Sequence, residues 1–227
     1  MRLISILSVF VAAALFSSAV FAAEEVEDSS SGLPETYALN YLIASATLSP
    51  DKKLAIIYPK QDPEEEFPDG RDYLVALQPF AILGALETKR PYFQNENNGG
   101  INAEWSQDSS VALVTIDSKW GPGDVFLLEI GDNGKLRRRT NVLAKAHDLL
   151  IPDYRKSKAS PYNDVYDFIF EAGEGPSFKL ESNKQVIVDG HATTEPKGVS
   201  NAKWSAHLKA VWNVAEARFA VCHIARR

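Results

Sequence analysis

The sequence predicts a mainly β fold of three to four antiparallel units, with one inserted helix at about residues 141–151. Short apolar runs alternate with Gly, Pro, Asp and Asn after residue 32, which is typical of many short strands. A serine-containing motif recurs along the chain. One further segment has the 3.6-residue spacing of a helix.

The recurring motif consists of an apolar residue, a tight Ser-x-x turn and an apolar strand. Ser and Asp side chains stabilise such turns by bonding to nearby backbone amides. The flanking segments can then pair as an antiparallel hairpin. The three copies are Leu48–Ile57, Trp105–Val114 and Trp204–Val211. We therefore expect each copy to belong to a sheet of its own.

The second copy continues furthest. Its strand 111–116 is followed by a predicted loop, 117–124, and by a second apolar strand, 125–130. A Gly-Asp-Asn-Gly turn at 131–134 then leads into Leu136–Arg139. The pattern predicts four consecutive strands joined by three hairpin connections.

The segment from Ala103 to Thr140, with its Trp-Ser-x-Asp turn, Leu-Leu-Glu-Ile strand, Asp-Asn-Gly turn and Leu-Arg-Arg-Arg-Thr ending, resembles one blade of a TolB-like or WD40-like β-propeller. The first copy departs from this pattern by lacking the Trp and by an acidic insertion. The third has His207 in place of the Asp and is short. The resemblance implies a partial or small β-propeller-like array, either closed or open. The whole chain also resembles a group of exported bacterial proteins, which implies no activity.

The helix is predicted between the second and third copies. Thr140 or Asn141 can cap its start, and Pro152 is expected to stop it. Five apolar residues fall on one face: Val142, Leu143, Ala146, Leu149 and Leu150. Further strands are predicted at 165–170, 178–180 and 185–188.

Residues 1–22 have the features of a secretory signal peptide. Arg2 is followed by an uncharged apolar run and by small residues that end at Ala22. The alternative is an uncleaved membrane anchor, since the run is nearly long enough to span a bilayer. We expect a periplasmic or secreted bacterial protein.

After cleavage, residues 23–34 are expected to form a disordered acidic lead-in, and residues 35–227 a single β-rich repeat domain. No second apolar run approaches membrane-spanning length, so no integral membrane segment is expected there. The sequence leaves the oligomeric state open.

Composition excludes several classes of function. The net charge of −6 disfavours nucleic acid, whose phosphates require a basic surface. The chain has a single cysteine, Cys222, which is expected to be a small buried hydrophobe. Nucleophile elbows, zinc motifs and phosphate-binding loops are missing from the sequence, and its four histidines are scattered. No catalytic residue, no metal ligand and no bound cofactor are therefore predicted.

Two loops are candidate binding segments. The acidic loop of residues 62–72 carries the candidate binding residues Asp62, Glu64, Asp69 and Asp72. Its carboxylates could gather around calcium, although a solvated run of charges is the commoner meaning.

The second candidate loop contributes Lys119, Trp120 and Asp124. A tryptophan in a Gly/Pro-rich loop either packs back onto the domain or is presented to a partner. Each loop follows the second predicted strand of its unit, so both are expected on the same face.

We therefore expect an exported, non-catalytic binding module whose partner is a glycan or a protein of the cell envelope. One alternative is a polysaccharide hydrolase or lyase that uses carboxylates from the loops. The other is a purely structural envelope protein.

Overall fold

The computed structural model describes residues 28–61, 70–88, 91–93, 99–157, 169–171, 175–194 and 204–226. The predicted signal peptide lies outside these residues, as does the central part of the acidic loop, residues 62–69.

The described residues form three antiparallel sheets, so the prediction of a mainly β fold is confirmed. Sheet A contains β1 (Tyr41–Ile43), β2 (Leu54–Pro59), β3 (Tyr73–Leu77) and β4 (Phe80–Ala85). Sheet B contains β5 (Gly100–Trp105), β6 (Val111–Ser118), β7 (Gly121–Ile130) and β8 (Leu136–Asn141). Sheet C contains β9 (Ile169–Phe170), β10 (Phe178–Ser182), β11 (Gln185–Thr193), β12 (Ser205–Asn213) and β13 (Arg218–Arg226). A short helix α1 (Glu35–Ala38) precedes sheet A, and helix α2 (Val142–Arg155) follows sheet B.

All three sheets are meanders. In sheets A and B each strand pairs with the next along the chain. Sheet C repeats this order with an interrupted first strand, because β9 and β10 pair with successive parts of β11. The interruption comprises Glu171 and Gly175–Ser177 of the described residues, between the end of β9 at Phe170 and the start of β10 at Phe178.

The sheets pack face to face with sheet B in the middle. One face of sheet B, which includes Ala112, Val114 and Phe126, shares a buried cluster with Leu74 and other residues of sheet A. The opposite face, which includes Leu113, packs on α2 and sheet C. In the described residues no buried cluster joins sheet A to sheet C, and no closed ring is formed.

The other face of sheet A is covered from the N-terminal side. Leu33 and Tyr37 pack against Tyr41 and Val75. Asp28 accepts hydrogen bonds from Ser45 N and Tyr58 Oη, at 2.7 and 2.6 Å. Residues 28–34 of the predicted lead-in therefore contact sheet A.

The first two copies of the motif form the same turn. Ser49 N donates to Leu54 O at 2.9 Å, and Ser106 N donates to Val111 O at 2.8 Å. In each turn the serine hydroxyl accepts the amide of the first strand residue at 3.0 Å and donates to an Asp at 2.7 Å. The predicted turns are confirmed, because local side-chain bonds are enough to specify them.

The third copy does not form a turn, and that part of the prediction is wrong. Ser205 and His207 are residues of β12, paired with Thr193 and His191 of β11. His207 offers no carboxylate to the backbone amides of a turn. The alternating burial of β12 instead directs Ala206 and its even-numbered neighbours into the core.

Helix α2 begins as predicted but ends later. Asn141 Oδ1 accepts the hydrogen bond of Ala144 N at 2.9 Å, which is an N-cap. The helix continues through Pro152 to Arg155. Buried Tyr154 packs edge-on against Trp204, with ring centroids 5.9 Å apart, so tertiary packing offsets the cost of the proline in the last turn.

Candidate functional site

Contacts between turns fix how the three stacked sheets are aligned, with corresponding turns at the same end of the stack. Ser109 Oγ donates to Asp51 Oδ1 at 3.3 Å, which joins the turns before β6 and β2. Asn183 Nδ2 donates to Asp108 Oδ2 at 3.3 Å, which joins the turn before β11 to the turn before β6. The second strands of all three sheets thus start at one end of the stack. These strands finish at the other end of the stack, which we call the loop end and where the β6–β7 hairpin lies.

Trp120 lies at the tip of a hairpin at the loop end. β6 and β7 extend further than predicted and pair as far as Ser118 and Gly121, so the expected loop 117–124 shrinks to Lys119 and Trp120. Ser118 Oγ donates to Gly121 O at 2.8 Å, and Gly121 has a φ of 144° that favours glycine. The Trp120 side chain remains 46% exposed, and Lys119 Nζ lies 5.3 Å from its ring centroid.

The other predicted binding residues are placed differently. Asp124 is buried, and its Oδ1 accepts from Asn141 Nδ2 at 2.7 Å. Asp72 is also buried, and its Oδ2 accepts from Tyr92 N at 2.9 Å. Both carboxylates therefore hold structural elements together. Asp62, Glu64 and Asp69 lie outside the described residues. The calcium hypothesis depends on these residues, so it stays a prediction.

A polar cleft adjoins the hairpin, and sequence reasoning did not find it. It has a volume of about 240 Å³ and lies between sheet B and the interruption of sheet C. Its polar lining residues are Asn102, Glu104, Thr115, Asp117, Glu171 and Ser177. Gly121 and Pro122 also line the cleft, so it opens at the base of the Trp120 hairpin.

Strand register explains why these polar side chains converge. Asn102 pairs with Thr115, and Asp117 follows two residues later on the same face of β6. Leu113 on that face is buried against sheet C, so the face changes from apolar to polar towards the loop end. This alternation in β5 and β6 is the sequence signal that could have revealed the cleft.

The carboxylates of the cleft have different environments. Burial raises the pKa of Asp117, which accepts a hydrogen bond from Asn102 Nδ2 at 3.4 Å. Glu104 Oε2 accepts from Leu180 N at 2.7 Å and so fastens sheet C to sheet B. Glu171 is exposed at the rim. The cleft thus offers mainly hydrogen-bond acceptors, at least one of which is partly withdrawn from water.

Two larger clefts, of about 760 and 570 Å³, lie at the opposite end, among the turns. Two of their carboxylates are engaged within the chain: Glu129 is buried between Arg137 and Arg138, and Asp108 accepts from Ser106 and Ser110. Volume alone therefore does not identify the site, and we place it at the loop end.

The arginines of β8 bind within the protein as well. Arg138 donates to Val214 O, just after the end of β12, and Arg139 donates to Ala85 O at the end of β4. Arg139 also pairs with Glu87. These contacts link sheet B to both neighbouring sheets. The guanidinium groups of Arg138 and Arg139 are therefore engaged within the protein.

Three of the four scattered histidines are brought onto the outer face of sheet C. His191 and His207 are directly opposite each other, with ring centroids 4.3 Å apart. His207 Nε2 lies 2.5 Å from Asp189 Oδ1, and His223 is opposite Lys209 on the same face. Even so, no group of three potential ligands with metal-binding geometry occurs among the described residues.

Cys222 differs from its expectation. It is exposed on β13 rather than buried, because this strand forms the edge of sheet C and extends beyond the core.

In the described part of the chain, no helix has the length and apolar character needed to cross a bilayer. Comparison with known proteins finds no matching family model, no similar curated protein and no similar solved structure.

Proposed function

We propose that the protein is an exported, non-catalytic glycan-binding module whose ligand contacts Trp120 and the adjoining polar cleft. The observation that carries this proposal is the exposure of Trp120 at the tip of a two-residue hairpin beside that cleft. An exposed aromatic ring provides a flat apolar surface for the carbon face of a sugar. The hydrogen-bonding side chains of the cleft then suit sugar hydroxyls.

The chemistry of the cleft favours an uncharged sugar over an anionic ligand. Three carboxylates line it, namely Glu104, Asp117 and Glu171, and the whole chain carries a net charge of −6. An anionic polymer would be repelled there. The volume is below the usual range for a drug-sized ligand, about 300–1,000 Å³, so we infer that a single sugar ring enters.

The arrangement of the sheets supports a propeller-like array as the scaffold. Two turns share the same hydrogen bonds, three meanders stack in order, and sheet B is packed on both faces. We infer that each sheet corresponds to one blade. In this arrangement the loop end is the surface where ligands of such arrays usually bind.

A hydrolase is the second candidate, and the partial burial of the Asp117 carboxyl group favours it. A carboxyl group whose pKa is raised by burial can hold a proton for general acid catalysis. Glu171 would then be the second carboxylate. Glu104 is less suited, because it already accepts the amide of Leu180.

The test measures binding of glucose- and N-acetylglucosamine-based oligosaccharides to the purified protein by isothermal titration calorimetry, whose signal does not depend on a tryptophan reporter. Removing the stacking surface in Trp120→Ala should weaken binding by about tenfold, which corresponds to about 1.4 kcal/mol. Asp132→Ala, in the turn at the opposite end of sheet B, is the matched control and should bind like the wild type.

Three outcomes separate the candidates. Binding that depends on Trp120 without release of reducing ends supports the module. Release of reducing ends that Asp117→Asn abolishes supports the hydrolase instead. If no oligosaccharide binds, while an envelope-protein extract is retained through Trp120, the partner is a protein and the glycan proposal is wrong.

A further inference from the structure

The outer face of sheet C carries a pair of histidines from two adjacent strands. His191 of β11 lies directly opposite His207 of β12, and their ring centroids are 4.3 Å apart. Both residues are partly exposed, with 28% of the His207 side chain accessible to solvent. Neutral imidazole is a common ligand of zinc and copper. Strand register thus brings together two side chains that bind the same class of ion.

The separation of the two rings suits a shared metal ion. Bonds from zinc to a histidine nitrogen are about 2.0–2.1 Å long, so two nitrogens on one ion lie within about 4 Å of each other. Rings whose centroids are 4.3 Å apart can meet this condition without movement of the strands. The ring planes differ by 30°, so the side chains must rotate to direct one nitrogen of each ring at a common point.

Asp189 determines which nitrogen of His207 is available. An ionised carboxylate only accepts hydrogen bonds, so the 2.5 Å contact between His207 Nε2 and Asp189 Oδ1 requires a proton on Nε2. In the neutral ring, Nδ1 then has the lone pair that a metal ion needs. A carboxylate that accepts the second ring N–H is the usual partner of a metal-binding histidine. Asp189 is therefore a positioning residue and not a third ligand.

The surroundings of the pair are compatible with a bound cation. Lys209 Nζ lies 3.4 Å from Asp189 Oδ2, so this ammonium group is paired with a carboxylate. On the other side of β12, His207 is opposite Ala225 of β13, which offers no side-chain ligand. A site with only two protein ligands agrees with the finding that no three-residue metal site occurs among the described residues.

We propose that His191 and His207 bind a divalent transition-metal ion, such as Zn²⁺ or Cu²⁺, with Asp189 holding His207 in the required tautomer. The remaining coordination positions are open to water or to a donor atom of another molecule. The site includes no residue that lines the loop-end cleft, so the proposal does not depend on what that cleft binds.

Calorimetric titration of the purified protein with Zn²⁺, without an affinity tag, tests the ligands. Binding at about pH 7.5 should be weakened by more than about tenfold in His191→Gln and in His207→Gln, because each variant loses one of two ligands. His223→Gln is the matched control, since it removes a histidine from the same face, and it should bind like the wild type. Circular dichroism checks that all three variants remain folded.

Asp189→Asn tests the positioning role. This variant keeps both imidazoles but replaces the carboxylate acceptor of His207, so its affinity for Zn²⁺ should fall by about tenfold. If Asp189→Asn binds like the wild type, the role assigned to Asp189 is wrong.

A measurement on the wild type makes the test independent of the variants. With one equivalent of Cu²⁺, electron spin echo spectroscopy should detect two coordinated imidazoles. Protons compete with the metal for the same nitrogens, so the affinity for Zn²⁺ should be lower at about pH 6 than at about pH 7.5.

Three results would overturn the metal site. The first is Zn²⁺ binding that is absent from the wild type or unchanged in both His191→Gln and His207→Gln. The second is an equal loss of binding in His223→Gln. The third is a Cu²⁺ spectrum that shows one imidazole or none.

Discussion

Sheets B and C contain the same short sequence, Trp-Ser, followed by different structures. Trp105-Ser106 ends β5 and opens a turn, whereas Trp204-Ser205 leads directly into β12. In the first segment Asp108 accepts hydrogen bonds from Ser106 and from the backbone and side chain of Ser110. In the second, His207 occupies the equivalent place and pairs across strands with His191.

The two tryptophans are also held differently. Trp105 is half-buried, and its Nε1 donates to Thr47 O, between β1 and β2 of the neighbouring sheet, at 2.9 Å. Trp204 is 3% exposed, packs on Tyr154 and donates to Asp153 Oδ2 at 3.0 Å. A shared sequence motif therefore does not imply a shared role, because one residue, Asp or His, changes which backbone bonds are available.

The largest expected difference between these regions is in core packing. Replacing Trp204 with Ala should lower the free energy of unfolding by about 3–5 kcal/mol, because a fully buried aromatic side chain leaves a cavity. Trp105→Ala is the matched variant and should cost clearly less, since its ring is partly in water. Urea denaturation followed by far-UV circular dichroism measures both. Equal losses would show that Trp105 has a larger structural role than its burial indicates.

The next effect concerns the serines. Ser106→Ala removes the acceptor of the Val111 amide, which is buried, and should cost about 1–3 kcal/mol. Ser205→Ala alters a half-buried strand residue and should change stability by no more than about 0.5 kcal/mol. The same denaturation experiment compares them. If Ser205→Ala lowers the free energy of unfolding as much as Ser106→Ala, the Ser205 hydroxyl makes a hydrogen bond in sheet C of similar importance to the one in the turn.

The smallest effect is a dependence on pH. The hydrogen bond from Ser106, followed by those from Ser110, lowers the pKa of Asp108 below its usual value of about 4. A carboxyl group whose pKa is lower in the folded state stabilises the protein above its ordinary pKa and loses this contribution as the pH falls below it. Asp108→Asn should therefore unfold at a lower temperature than the wild type at neutral pH, and this difference in Tm should be smaller near pH 3. Thermal unfolding at both pH values measures it.

Asp132→Asn, in another turn of sheet B, is the control for general acid effects. If the difference between wild type and Asp108→Asn is the same at both pH values, the carboxylate of Asp108 does not stabilise the turn.

Locally determined features of the fold were predictable from the sequence. The turns at Ser49 and Ser106, the Asn141 cap and the strands of sheet B depend on side chains within a few residues of one another. The end of α2 was not predictable, because Tyr154 and Asp153 are held by Trp204, far along the chain. Local patterns report propensity and capping, whereas such contacts depend on how the sheets stack.

In the candidate site, too, only the features that depend on neighbouring residues were predictable. Trp120 was identified because an aromatic residue in a glycine-rich segment is unusual, and the structure leaves it exposed. Asp72 and Asp124 were predicted as candidate binding residues but are buried and accept hydrogen bonds from backbone or side-chain groups of other segments. The cleft itself combines β5, β6 and the interruption of sheet C, and the histidine face combines three strands. Neither can be inferred before strand register is known.

The position of sheet B between its neighbours has a thermodynamic consequence. In the described residues sheets A and C share no buried cluster, so each is coupled to the other only through sheet B. We therefore expect the three sheets to unfold as a short linear chain of interacting units with two interfaces, in which the outer sheets open first and sheet B carries most of the cooperativity. A perturbation at one outer sheet is thus transmitted to the other only as far as sheet B transmits it.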